Sequence, residues 1–202
     1  MNEVLAPDGL SPGFTNPVFE SQHTFRRVLD AMSRPGLLIN LDADLSAPAD
    51  GIDAAAAIAL ALLDFETPIY LSPVPEWAGL AQWLRFHCGC PIVENPGDAA
   101  FALVRVDAMP ALDQFNSGDP KYPDRSATLI IVCPSLEGGD SLRLAGPGIA
   151  DFRVIAPTGF DPAFWDDVRQ DRSKFQLGID LILTSDNHIV ALPRSTRIAL
   201  ED

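Results

Sequence analysis

A six-residue apolar run, Thr128 to Cys133, constrains the fold of this chain more than any other feature. The run is short and rich in β-branched residues, so it predicts a buried strand. A strand of this kind is typical of a sheet that is covered on both faces. Helical and strand patterns alternate before this run, and strand patterns cluster after it. This order predicts an α/β fold, a three-layer sandwich with a mixed sheet.

Five helices and nine strands are predicted from spacing, capping residues and chain breakers. The first helix begins at Asn16-Pro17, where a capping side chain precedes a proline, and ends at Arg34-Pro35-Gly36. Four more helices are predicted over about 52–64, 76–87, 108–115 and 160–171. Strands are predicted over about 37–41, 69–71, 91–93, 101–106, 128–133, 141–144, 152–155, 179–184 and 188–192.

The chain is expected to form one domain, because no linker long enough to divide it is present. This α/β domain is predicted over residues 16–202. Residues 1–15 are polar and rich in Pro and Gly, and they predict a flexible N-terminal arm.

The charge of the chain excludes several classes of partner. Asp and Glu number 28 against 14 Lys and Arg, which gives a formal net charge of −14. Such a surface repels a nucleic acid or an anionic membrane, so neither is an expected partner. The start of the chain has no secretory signal pattern, and the longest apolar run, 54–63, is too short to cross a bilayer. The expected location is therefore the cytoplasm, which also agrees with the odd number of cysteines.

The common catalytic and cofactor motifs are missing from the sequence. There is no phosphate-binding loop ending in Gly-Lys-Ser/Thr, no Gly-x-Ser-x-Gly elbow and no His-Glu-x-x-His. The segment Gly146-Pro-Gly148 fails the dinucleotide fingerprint, because Asp151 stands at the third glycine position. His87-Cys-Gly-Cys90 lacks the spacing and the second ligand pair of a zinc site, so no metal is expected.

Pyridoxal phosphate chemistry needs a lysine for the internal Schiff base. Only Lys121 and Lys174 are present, one in a loop of chain breakers and the other at the end of a charged helix. Neither position predicts a buried amine with a lowered pKa. No cofactor is therefore expected.

Arginine is the side chain best suited here to hold a phosphate or a carboxylate, because its guanidinium grips both in two places. Several arginines lie near turns, where clefts commonly form, and Arg85 and Arg143 are examples. Acids outnumber bases two to one, so an ion pair within the fold is the alternative for each arginine.

Six blocks of sequence carry a resemblance to a known family. They are Gln22–Gly36, Asp64–Leu71, Leu84–His87 with Pro91, Leu142–Ile149, Leu177–Leu183 and Leu192–Thr196. In this order they resemble the PhnH family, whose members are subunits of the bacterial carbon–phosphorus lyase system. The blocks span roughly residues 20–197.

The resemblance implies a fold similar to that of pyridoxal-phosphate-dependent transferases, without the cofactor. It also implies a homodimer that joins PhnG, PhnI and PhnJ in a core complex. That complex takes an alkylphosphonate and ATP, releases adenine, and makes a ribose 1-phosphonate 5-triphosphate. The radical step that breaks the carbon–phosphorus bond belongs to PhnJ, and this chain lacks the cysteines for an iron–sulfur cluster.

The resemblance brings no catalytic residue to this chain. The charged residues and glycines that match the family's blocks are candidates for binding a substrate or a phosphate: Arg26, Arg27, Arg85, His87, Arg143, Gly146, Gly148 and Arg194.

Two functions remain open from the sequence. The first is an accessory subunit without a complete active site, which the ordered blocks and the missing motifs favour. The second is an enzyme or binding protein in its own right, which holds a phosphorylated ligand in a cleft of Arg85, His87 and Arg143. A relict pyridoxal enzyme is a third option, and it would need Lys121 or Lys174.

Overall fold

The computed structural model describes residues 10–200, and it contains four helices and ten strands in that range. The helices are α1 (Pro17–Ser33), α2 (Asp53–Leu62), α3 (Leu80–Cys88) and α4 (Pro162–Arg172). The strands are β1 (Ile39–Asn40), β2 (Ile69–Leu71), β3 (Ile92–Val93), β4 (Phe101–Arg105), β5 (Thr128–Val132), β6 (Leu142–Ala145), β7 (Arg153–Ile155), β8 (Asp180–Ser185), β9 (His188–Leu192) and β10 (Arg197–Leu200).

The strands form two sheets. The large sheet has seven strands in the order β1-β9-β8-β5-β4-β2-β3. Its strands from β8 to β3 are parallel, and β9 and β1 are antiparallel to their neighbours. The small sheet is antiparallel, with the order β10-β6-β7. The predicted α/β class with a mixed sheet is confirmed, but the small sheet is a separate one.

The predicted buried run is β5, which lies in the middle of the large sheet. Its side chains alternate between two hydrophobic cores, so Ile130 packs on one side of the sheet and Leu129 and Ile131 on the other. Neighbouring β4 and β8 alternate in the same register. Because both faces are apolar, each must be covered by another layer.

The three layers follow from these two cores. The helices α1, α2 and α3 cover one face, and the alanines of α2 from Ala54 to Ala59 are fully buried there. Small side chains let α2 lie close to the sheet and to its neighbouring helices. The other face is covered by α4 and the small sheet, which contribute residues such as Trp165 and Leu144.

Some predicted elements differ from the observed ones. The predicted helix over 108–115 is two short 3₁₀ turns, Val106–Ala108 and Leu112–Gln114, because Pro110 removes a helical hydrogen-bond donor between them. The predicted helix over 76–87 starts as a 3₁₀ turn, Pro75–Trp77, and becomes α-helical only at Leu80. Strand β10 was not predicted, since it is a short segment close to the end of the sequence.

Residues 1–9 of the predicted flexible arm lie outside the described residues. In the remainder of that segment, the carbonyl of Ser11 accepts hydrogen bonds from Trp83 Nε1 at 2.9 Å and His87 Nε2 at 3.2 Å. Leu10 and Phe14 pack against the core beneath α1 to α3. Within residues 10–200, no helix is both long and apolar enough to cross a membrane.

The turn after β6 holds the small sheet against the end of α1. Gly148 has φ +82°, and a Cβ at this position would overlap the Ser33 carbonyl oxygen and lie 2.8 Å from Pro35 Cδ. Arg153 of β7 donates to the carbonyl oxygens of Arg34 at 3.0 Å and Pro35 at 2.6 Å. The segment Gly146-Pro-Gly148 is therefore a packing contact between layers.

We predict that Gly148→Ala destabilises the protein more than Gly51→Ala. Gly51 has φ +73°, and a Cβ at this position would have no atom within 4 Å. Gly51→Ala therefore measures only the cost of the left-handed backbone conformation, roughly 1–2 kcal/mol. Gly148→Ala adds the steric overlap, which costs about 1–3 kcal/mol more. Urea unfolding followed by tryptophan fluorescence measures both variants. Equal losses would contradict the close approach at Gly148.

Candidate functional site

A cavity of about 540 Å³, within the range of small-molecule sites, lies beside α1. The N-terminal half of α1, Phe14 and the segment after β1 form its walls, and Arg26 is the only candidate residue on its lining. Its lining carries charged residues of both signs, Glu20, Arg26, Asp42 and Asp44, together with His23.

Arg27 is held at the edge of this cavity by an ion pair. Its Nη2 lies 3.2 Å from Asp42 Oδ2, and its Nε lies 3.5 Å from His23 Nε2. Asp42 has φ +50°, which turns the chain out of β1 and towards α1. Arg27 therefore forms an ion pair within the fold, which was the alternative to binding a phosphate or a carboxylate.

Glu20 caps the start of α1 on the wall of the cavity. Its Oε1 accepts a 2.6 Å hydrogen bond from the backbone amide of Asn16, which satisfies a donor that the helix leaves open. Its Oε2 is buried and has no hydrogen-bond partner within the described part of the chain. The carboxylate therefore positions α1, and one oxygen still has its acceptor capacity.

Arg85 and His87 lie on α3, away from this cavity's lining. His87 is half-buried between the rings of Trp83 and Phe86, at centroid distances of 4.8 and 4.9 Å. Its Nε2 is used by the carbonyl of Ser11. Arg85 is exposed, and no carboxylate in residues 10–200 forms an ion pair with it.

The cysteines near α3 do not form a metal cluster. Across the described range 10–200, no three His, Cys, Asp or Glu side chains are grouped to hold a metal ion. The neighbouring Cys90 thiol and burial raise the pKa of Cys88, whereas the neighbouring Cys88 thiol lowers the pKa of Cys90 against the effect of burial. Burial raises the pKa of Cys133 to about 12, so this thiol is a poor nucleophile at neutral pH.

Arg143 lies on the outer face of the small sheet. Its guanidinium stacks 3.9 Å from the ring centroid of Phe152. It is opposite Ala199 of β10, and Arg197 is two residues before Ala199 on that strand. The two arginines therefore share a face as diagonal neighbours, roughly 7–8 Å apart at the backbone.

Arg194 belongs to an ion-pair network that holds β8 and β9 together. Its backbone amide donates to Asp180 Oδ1 at 2.7 Å, and its guanidinium forms a forked pair with the same carboxylate. Beside it, the buried Arg172 pairs with Asp171 and donates to the Leu192 carbonyl at 3.0 Å. Burial lowers the pKa of Arg172, and the Asp171 carboxylate opposes this shift. Arg194 is thus committed to the fold.

The candidate residues do not converge in one hollow of a single chain. Arg85 and His87 lie on α3, in the helical layer on one face of the large sheet. Arg143 lies on β6, in the layer on the opposite face, and its side chain is exposed away from that core. The large sheet therefore separates Arg143 from Arg85 and His87, which were expected to form one cleft.

A second cavity, of about 380 Å³, was not found from the sequence. It lies where β4 and β5 end, at Arg105 and Val132, next to Trp77 and the start of α2. Arg105 pairs there with Asp107 at 2.6 Å and Glu76 at 3.3 Å, which raises its pKa. The sequence did contain a signal for this cavity, which is a charged residue at the end of a parallel strand. Ligands of open α/β sheets bind at the edge where such strands end.

Comparison with known proteins places the chain in a family. A family model described as "Bacterial phosphonate metabolism protein (PhnH)" matches residues 12–199. The chain belongs to the PhnH family.

Two curated relatives cover most of the chain. The "Alpha-D-ribose 1-methylphosphonate 5-triphosphate synthase subunit PhnH" of Rhizobium meliloti (strain 1021) is 39% identical over 192 residues, which are 95% of this chain and 96% of that protein. The "Putative C-P lyase subunit protein HtxG" of Stutzerimonas stutzeri is 30% identical over 184 residues, 89% of this chain and 86% of that protein.

The six blocks that resemble the PhnH family meet in pairs in the structure. The first and the fourth meet where Gly148 packs on Ser33. The second and the third meet where the Ile69 amide donates to the Pro91 carbonyl at 2.9 Å. The fifth and the sixth meet at the Asp180–Arg194 pair. These family segments therefore form contacts that hold the fold together.

We predict that Arg194→Gln lowers the free energy of unfolding by about 2–4 kcal/mol, because it leaves the Asp180 carboxylate largely buried without its cation. The exposed Arg85 is the matched control, and Arg85→Gln is expected to change stability by less than about 0.5 kcal/mol. Chemical denaturation measures both variants. A loss at Arg85 as large as that at Arg194 would contradict this division of roles.

Proposed function

We propose that this chain is a subunit of a carbon–phosphorus lyase core complex, with no complete active site of its own. In this role it supports conversion of an alkylphosphonate and ATP to a ribose 1-alkylphosphonate 5-triphosphate, with release of adenine. The observation that carries the proposal is the match to the PhnH family along residues 12–199, with relatives named as subunits.

The dispersal of the candidate cations supports the accessory role. Phosphoryl chemistry depends on several charged groups held around one reacting centre. In this chain Arg27 and Arg194 are used by Asp42 and Asp180, and Arg85 is separated from Arg143 by the large sheet. We propose that PhnG, PhnI and PhnJ supply the remaining groups, and that the chain forms a homodimer in the cytoplasm when it is on its own.

We also propose that the fold is similar to that of pyridoxal-phosphate-dependent transferases without their cofactor. Both lysines are exposed, and Lys121 lies over the ring of Tyr122, 5.0 Å from its centroid. A lysine that forms a Schiff base is activated by an apolar pocket or a neighbouring cationic group, whereas these two lysines are exposed. The lysine environments therefore support a subunit that does not use this coenzyme.

We predict that deleting this chain abolishes growth on methylphosphonate as the sole phosphorus source and leaves growth on inorganic phosphate unchanged. The purified chain alone is expected to give no adenine release from ATP and methylphosphonate, which liquid chromatography measures. Co-expression with the PhnG, PhnI and PhnJ proteins of the same organism is expected to give a complex that contains this chain. Growth of the deletion strain on methylphosphonate, or release of adenine by the chain alone, would overturn the proposal.

The alternative function, binding of a phosphorylated ligand, is favoured by one observation. Arg143 and Arg197 share the outer face of the small sheet, and no carboxylate in residues 10–200 pairs with either of them. Two guanidinium groups within reach of one anion suit a phosphate or phosphonate. This pair replaces the expected cleft of Arg85, His87 and Arg143 as the candidate.

We predict for this alternative that isothermal titration calorimetry with ATP or methylphosphonate gives binding that Arg143→Gln and Arg197→Gln each weaken at least tenfold. Arg125→Gln is the matched control, because Arg125 is also an exposed arginine stacked on an aromatic ring, 4.0 Å from the Tyr122 centroid. An equal effect of all three variants would indicate attraction by general charge and would contradict a site at Arg143 and Arg197.

A further inference from the structure

Helix α1 has a second apolar face that residues 10–200 leave uncovered. Val18, Phe25 and Leu29 are 76%, 48% and 57% exposed, and Phe19 beside them is 69% exposed. The buried residues of the helix, Thr24, Val28 and Ala31, lie roughly 120° away around its axis. We name the exposed face, formed by Val18, Gln22, Phe25 and Leu29, the α1 stripe.

The spacing of the α1 stripe is that of a helix-packing seam. Its residues follow one another in steps of four, three and four, which is the 3.5-residue repeat that keeps one side of a helix facing a partner helix. A strand or an irregular loop has no such period. The stripe ends at Met32, which is half-buried against the core. It therefore offers about three turns of helix for docking.

The charge beside the stripe indicates what the partner carries. Arg26 is exposed at its edge, and none of the carboxylates in residues 10–200 forms an ion pair with it. Two acids of this region are engaged elsewhere, because Asp42 pairs with Arg27 and Asp30 pairs with Arg34. A partner with a carboxylate next to its apolar seam would complement Arg26 and the adjoining ring of Phe19.

A second copy of this chain fits the stripe less well. An antiparallel pair of α1 helices that stacks Phe25 on Gln22 brings Ser21 opposite Arg26, and a parallel pair brings Arg26 opposite itself.

We propose that the α1 stripe docks an amphipathic helix of another protein subunit, one with apolar residues at 3-4 spacing and a carboxylate facing Arg26. The proposal rests on the proposed function as a subunit, and it names the surface through which this chain assembles. Interfaces of this kind bury apolar residues at their centre and place charged pairs at the rim, as Phe25 and Arg26 would be placed.

The first experiment compares variants in co-purification with the other subunits of the complex. Phe25→Glu/Leu29→Glu is expected to reduce the retained partner at least tenfold and to keep the thermal unfolding midpoint of the wild type, since both side chains are exposed. The matched control is Phe65→Glu/Phe175→Glu, which changes two other exposed phenylalanines, 72% and 60% open, and is expected to retain the partner. Arg26→Glu is expected to weaken retention most strongly at low salt.

The outcomes separate this inference from the function on which it depends. If the wild-type chain assembles and Phe25→Glu/Leu29→Glu assembles equally well, the stripe is not the docking surface and the subunit role stands. If the wild-type chain does not assemble, the proposed function fails, and this inference with it. If light scattering shows that the stripe variant only converts a dimer of this chain to a monomer, the occupant is a second copy and the inference is overturned.

A photo-crosslinking residue in place of Gln22 tests the occupant directly in the assembled complex. Mass spectrometry is expected to find it joined to a segment of another subunit that has apolar residues at 3-4 spacing and an adjacent Asp or Glu. Crosslinks to a segment without that pattern, or to this chain itself, would overturn the inference.

Discussion

Burial of both faces of the parallel strands β4, β5 and β8 is the constraint on which the rest of this structure depends. Each strand sends alternate side chains into two separate cores, so the sheet is stable only with a layer on each side. One layer is made by α1, α2 and α3, and the other by α4 and the small sheet. These layers fix where charged groups are able to lie, and they place α3 and β6 on opposite sides of the large sheet.

The arginines of this acidic chain divide into two groups with different roles. Six of the twelve pair with carboxylates in residues 10–200, and Arg172 and Arg194 do so at the junction of α4, β8 and β9. The pairs of Arg172 and Arg194 are part of the fold, because removing one partner there leaves a charge with little access to water. Arg26, Arg143 and Arg197 are exposed without such a partner in that range, so they remain available to recognise an anion or another protein.

The sequence predicted the fold class and most elements because those signals are local. The run at β5 and the Pro17 helix start each depend on a few neighbouring residues. The division into two sheets was not predictable in this way, because β10 pairs with β6 across more than fifty residues. The site was predicted least well. Whether an arginine is paired depends on distant residues, so Arg194 and Arg143 look alike in sequence and differ completely in structure.

The contacts of Gly148 and Arg153 with the end of α1 connect the two layers that lie on opposite faces of the large sheet. Arg153 joins β7 to the backbone of Arg34 and Pro35, which directly follow α1. A tilt or shift of that helix therefore strains a hydrogen-bonded strand on the far side of the protein. A shift of α1 is therefore expected to change the rates at which the backbone amides of the small sheet exchange with deuterium. Those rates would detect a movement of α1 without any label on the helix.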